Sequence, residues 1–98
     1  IAAANFRMAE PTTVAHEYIA YVTMFAAMER GARERILAQY PGEGFESERE
    51  IGLTIYLMDP TRFGAYAYRH FMRPGNGASF MEAILSGRAL ATEDPPAN

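Results

Sequence analysis

Apart from its twelve carboxylates, few residues of this chain could do acid–base, nucleophilic or metal chemistry: two histidines, three serines and no cysteine. His16-Glu17 opens an H-E-x-x-H pattern, in which two histidines one helical turn apart hold zinc beside a glutamate base. Position 20 is alanine, so the second ligand is missing. Without cysteine there is no thiolate ligand, no thiol nucleophile and no disulfide framework. Gly77-Ala78-Ser79-Phe80-Met81 approaches the G-x-S-x-G elbow, but methionine stands where the second glycine is required, and Ser79 reads as a helix cap. Gly75-Asn76-Gly77, ahead of a helix start, could cradle an anion on free N–H groups. No strand precedes it, and a plain loop is the simpler reading. His70 falls on an aromatic face, where a histidine is more often a satisfied core or interface group than a general base. No catalytic residue, metal ligand or cofactor site is expected, and the chain reads as a non-enzyme.

Surface for a protein partner is the remaining chemistry. All nine basic residues are arginine, a side chain that pairs bidentately with carboxylates and stacks on aromatic rings. Spacings of seven and four residues bring Arg62, Arg69 and Arg73 within about 40° of one another on a helix, beside Tyr66. Arginine and tyrosine concentrate at interface hot spots, so these four are the candidate protein-binding residues. A solvated face, or pairing with the acidic run Glu43, Glu46, Glu48 and Glu50, is the plainer use of the arginines. The net charge of −3 argues against a general nucleic-acid binder.

The elements that must position these residues are helices. Residues 14–40 contain no proline and start after Pro11-Thr12-Thr13, where a threonine can cap, and Pro41-Gly42 stops them. The spacing predicts one long helix or two nearly continuous ones. Val14, Tyr18, Val22, Phe25, Met28, Ala32 and Ile36 form a seam that Ala15, Ile19 and Ala26 widen to about half the circumference. An arc that wide predicts a homodimer or partner face including Tyr18, Tyr21, Phe25 and Met28. Ala20, Ala27, Gly31 and Ala38 make a narrow line of small residues opposite, with Gly31 marking a kink or a close helix crossing. Glu29 with Arg33 and Arg30 with Glu34 stand at i,i+4 pair spacing.

Ser47 with Glu50 forms a capping box that predicts a second helix from about Glu48. Ile51, Leu53, Ile55 and Leu57 alternate as a strand would, but Asp59-Pro60 ends the segment and no partner strand is apparent, so helix is preferred. Asp59 caps and Pro60 opens a third helix to about Met72, with Phe63, Ala67, His70 and Phe71 inward. Ser79 with Glu82 predicts a fourth, stopped by Gly87. The chain is expected to be all-α: one long N-terminal helix packed by about three shorter ones. Residues 1–12 form a loose arm, 13–91 a single helical domain and 92–98 an acidic, disordered tail. No run approaches a membrane span and no signal-peptide pattern is present, so a cytoplasmic protein is expected. The start at Ile1 leaves room for upstream residues.

The runs PTTVAHEYIAYVTMFAAMERGARERIL and LTIYLMDPTRFGAYAYRHFMRPGNG resemble the QslA-type quorum-sensing antiactivators of Pseudomonas, an overall likeness over most of the chain carried by no short motif. The resemblance implies a cytoplasmic, helical, dimeric, non-catalytic protein. Its partner would be a transcription regulator of the acyl-homoserine-lactone receptor type, bound at a LasR-like ligand-binding domain so that the receptor cannot dimerise on DNA. A ligand-binding or enzymatic domain with a pocket near His70, and a DNA-binding module using the Arg62–Arg73 helix, are the alternatives from other classes.

Overall fold

A computed structural model describes residues 11–95. Among them are five α-helices, one 3-10 turn and no strand: α1 (Thr13–Ala27), α2 (Arg30–Ala38), the turn Glu48–Glu50, α3 (Leu53–Met58), α4 (Pro60–Phe71) and α5 (Ala78–Leu85). The expected arm falls almost wholly on residues 1–10, outside the described residues.

The long N-terminal helix is not continuous. It breaks at Met28 and Glu29, whose ψ angles of 150° and 142° are extended. Glu29 turns its carboxylate onto the next helix, accepting from Gly31 N and Ala32 N at 2.9 Å each. Those two bonds hold its carboxyl below the usual carboxylate range. Arg33 reaches the other way, its Nη1 donating to Phe25 O at 3.0 Å and Met28 O at 3.3 Å. Each side chain therefore satisfies a helix end rather than its i,i+4 neighbour. Of the two expected pairs, only Arg30–Glu34 forms, exposed, at 3.1 Å. Gly31 belongs to the first turn of α2, and its nearest neighbours are the Glu29 carboxylate oxygens, not a crossing helix. Ala20, Ala27 and Ala38 are exposed.

The close crossing lies at Gly64. Helix α4 packs across α1 and α3, and the Tyr21 ring lies directly on Gly64. A Cβ there would stand 2.5 Å from Tyr21 Cγ and 2.7 Å from Cε1, inside any van der Waals contact. Phe63, next along α4, is fully buried among Tyr21, Phe45 and Tyr56, with ring centroids 5.4–6.4 Å away at the steep angles aromatic edges prefer. Val14, Ala15, Tyr18, Val22 and Phe25 are the inward face of α1, while Ile51, Ile84 and Leu90 close the core from the rest of the chain.

Asp59 and Pro60 start α4 as the sequence predicts, Asp59 Oδ1 accepting from Arg62 N at 3.2 Å. Neither capping box forms. Ser47 makes no cap bond, and Glu50 accepts from Glu46 N instead, so residues 48–50 make only a 3-10 turn. Ser79 sits inside α5, whose cap is Gly77.

Helix α3 takes its N-terminal partners from far along the chain: Leu53 N donates to Glu93 O at 2.6 Å and Thr54 N to Asp94 Oδ1 at 3.0 Å. The Glu93 carboxylate also accepts from Thr13 N and Val14 N, at 2.8 and 3.1 Å, capping α1. Thr12 Oγ1 accepts from Ala15 N and donates to Leu90 O. The expected disorder from residue 92 therefore does not describe residues 92–95, which tie the two ends of the fold together. Residues 96–98 lie outside the described ones.

Candidate protein-binding surface

Helix α4 carries Arg62, Tyr66 and Arg69 on one side, facing the linker from α2, while Arg73, expected on the same helix, lies in the bend just past its end. The last carbonyls of a helix lack intrahelical donors, and cationic side chains are suited to supply them. Arg69 does so, donating through Nη2 to Leu37 O at 3.0 Å and through Nη1 to Tyr40 O. Arg73 Nη2 donates to Glu43 O at 3.0 Å, and the Tyr66 hydroxyl donates to Pro41 O at 3.3 Å. Arg62 pairs with Asp59 at 3.5 Å and lies over the Tyr40 and Tyr66 rings, 5.6 and 5.9 Å from their centroids. The stripe holds backbone carbonyls of its own chain rather than the carboxylates of the Glu43–Glu50 run. Gly44 makes this approach possible: its φ of +85° is left-handed, and a Cβ would stand 2.5 Å from Arg69 Cβ. Phe45 N then donates to Tyr66 O, and the Phe45 ring enters the core.

An open cleft of about 360 Å³ remains between residues 42–43 and the end of α4, walled by Tyr68, Arg69, Met72 and Arg73. Arg73 Nε is itself buried, with no hydrogen-bond partner. Among the described residues, neither Arg69 nor Arg73 forms an ion pair.

The expected apolar face on α1 needs correction. Tyr18 and Phe25 are 0 % exposed inside the chain and offer nothing to a second molecule. Tyr21 and Met28 are half-buried, Tyr21 being taken up largely by Gly64. The wide arc is covered mainly by α4, with Phe80 of α5 against Tyr18, a tertiary arrangement that helix periodicity does not contain. The large apolar side chains in water are others: Met58, Leu57, Met72, Leu85 and Met24, between 43 % and 79 % exposed. Leu57, Met58 and Leu85 stand at the ends of short helices, where periodicity over six or eight residues says little about which side is covered, and Met72 is the C-cap of α4.

His70 is 4 % exposed, and neither it nor His16 has ligand-forming company: among the described residues no three His, Asp or Glu side chains come together as metal ligands. The Tyr18 hydroxyl and His70 Nδ1 share a 2.6 Å hydrogen bond, with the Phe80 ring edge-on to the imidazole at 4.6 Å. Asn76 Nδ2 donates to the His70 carbonyl. Burial holds the imidazole below its ordinary range, and Arg73 adds to the shift while Glu48 and Glu50 oppose it. Burial likewise raises the Tyr18 phenol. A histidine whose folded pKa is depressed contributes stability that is present above its unfolded value of about 6.5 and is lost as pH falls through the folded pKa. The melting temperature should therefore decline on acidification from about pH 6.5, before the carboxylates titrate. In His70→Gln that slope should flatten. Equal slopes in the two proteins would show that His70 does not set it.

Among the described residues no helix is long and apolar enough to cross a membrane. The family model described as "family of unknown function (DUF6639)" matches residues 1–94. No curated protein and no solved structure matches the chain.

Proposed function

We propose that the chain, which belongs to the DUF6639 family, is a protein-binding inhibitor that occupies the dimerisation surface of a transcription regulator of the acyl-homoserine-lactone receptor type. The observation that supports this most is the set of apolar side chains left in water, Met58 and Leu57 above all, at 79 % and 67 % exposure. Contiguous exposed apolar surface on a small domain marks interaction sites. The partner class comes from the resemblance of residues 11–37 and 53–77 to quorum-sensing antiactivators. The mechanism is mass action: each receptor protomer held by the inhibitor is withdrawn from the DNA-competent dimer.

The proposal includes self-association. With Tyr18 and Phe25 spent in the core, the surface for it is Met24 on α1 with Leu57 and Met58 on α3, two helices that pack on each other. Sedimentation of the chain alone and with a LasR-like ligand-binding domain tests both parts. A species heavier than 10.9 kDa is expected alone, and a heavier complex in the mixture. Titrating the chain into receptor and operator DNA should abolish the receptor's gel shift. No complex at micromolar concentration would overturn the inhibitor reading. A salt-sensitive shift of DNA by the chain itself would favour the α4 helix as a nucleic-acid element instead.

A further inference from the structure

We propose that the cleft between residues 42–43 and the end of α4 receives an acidic side chain of a partner protein, with Arg73 and Arg69 as its counter-charges. The proposal rests on the protein-binding reading and names the chemistry of the contact. Arg69, near the end of α4, and Arg73, in the bend after it, are half-buried, and both wall the cleft. Their hydrogen bonds all run to neutral backbone carbonyls, at Leu37, Tyr40 and Glu43. The two ion pairs among the described residues, Arg30–Glu34 and Arg62–Asp59, lie elsewhere. Glu43 stands on the cleft's rim yet gives Arg73 only its main-chain oxygen. Two like charges that wall one cleft repel one another, and neither forms an ion pair with a carboxylate among the described residues.

Arg73 is the less satisfied of the two. Its Nε is shut away from water with no acceptor, although a charged donor is costly to bury unpaired. A guanidinium offers five donors in a planar fork, and Arg73 uses one of them. A carboxylate in the cleft supplies the missing charge and a two-oxygen acceptor for the fork's unused Nη–H donors, which a carbonyl cannot. The remaining walls are the half-buried Tyr68 ring and Met72, 59 % exposed. They suit an apolar neighbour beside the acid, so the occupant is an acidic residue flanked by leucine or a similar side chain. A nucleic-acid phosphate suits the cleft less, because the chain as a whole carries −3.

The arginine Nε–Hε signals of the ¹⁵N-labelled full chain report on the cleft directly. The probes are an acetylated Leu-Glu-Leu-Glu amide, its Leu-Gln-Leu-Gln counterpart, and sodium phosphate. The acidic peptide should shift the Arg73 signal in a saturable way and the glutamine peptide should not. Arg73→Gln, which removes the charge, should weaken the peptide by about tenfold or more. Equal response to both peptides, a phosphate shift as large as the peptide's, or unchanged affinity in Arg73→Gln would each overturn the proposal. The wild-type peptide comparison stands even if the variant folds poorly. If the cleft binds acidic peptide while the receptor domain forms no complex, the inhibitor reading fails and the cleft stands. If Arg73→Gln holds the receptor domain as tightly as wild type and the acidic peptide does not bind, the reverse is true.

Discussion

Replacing Gly64 with alanine should lower the melting temperature of this protein by roughly 5–20 °C. The added Cβ would overlap the Tyr21 ring at the point where α4 crosses α1. Overpacking of this kind costs about 1–3 kcal/mol, and each kcal/mol moves the midpoint of a domain this size by about 4–8 °C. Alanine is the better helix former by about 1 kcal/mol, so the clash must exceed that gain for the sign to hold. Since neither helix can move apart without uncovering Phe63, it should. Tyr21→Leu in the Gly64→Ala background should recover part of the loss, because a leucine has no ring over position 64. The control is Gly31→Ala, where the new methyl meets only the movable end of Glu29 and the midpoint should stay within a few degrees. If Gly64→Ala melts as high as wild type, the helices do not cross where the Tyr21 ring places them.

The second large effect is expected at the other end of the chain. A chain ending at Ala91 loses the Glu93 carboxylate from α1 and the Glu93 and Asp94 oxygens from α3. Removing a helix cap costs about 0.5–2 kcal/mol, so two helices together should lose about 1–4 kcal/mol, readable as a lower urea midpoint. Glu93→Gln keeps one oxygen acceptor and should lose less than Glu93→Ala. Hydrogen exchange locates the effect: the Thr13, Val14, Leu53 and Thr54 amides should lose protection first. Unchanged protection of those four amides in the truncated chain would mean that residues 92–95 do not cap.

These two sites also show what one-dimensional reading can reach. Asp59-Pro60 and Gly87 are legible because cap and stop chemistry act within one turn, and α4 and α5 begin and end close to where they should. Ser47-x-x-Glu50 has the same local grammar, yet Glu50 is drawn to Glu46 N while α3 is started by a carboxylate 40 residues away. Glu29 and Arg33 fit an intrahelical pair until the helix breaks between them and each serves a free helix end. Gly64 lies in a short run, Phe-Gly-Ala-Tyr, with nothing to say that a tyrosine 43 residues earlier lands on it. Arg62, Tyr66 and Arg69 of the candidate site share one helix side, as their spacing requires, but Arg73 falls in the bend beyond it. What that side faces, the chain's own 37–43 carbonyls, is a tertiary outcome. Exposure of Leu57 and Met58 is hidden for the same reason: the alternation of residues 51–57 suits strand and helix alike.

The Glu93 cap also bears on when this fold can form. Its carboxylate bonds Thr13 N and Val14 N across 80 and 79 residues, nearly the whole described chain. Contacts of that separation raise contact order and slow folding relative to helical bundles with local pairings. During synthesis α1 leaves the ribosome long before residue 93 exists, so its first amides stay uncapped while Tyr18 and Phe25 wait for α4. The nascent helix is then an exposed apolar segment, and completion of the fold waits until residue 93 has been made and can reach it.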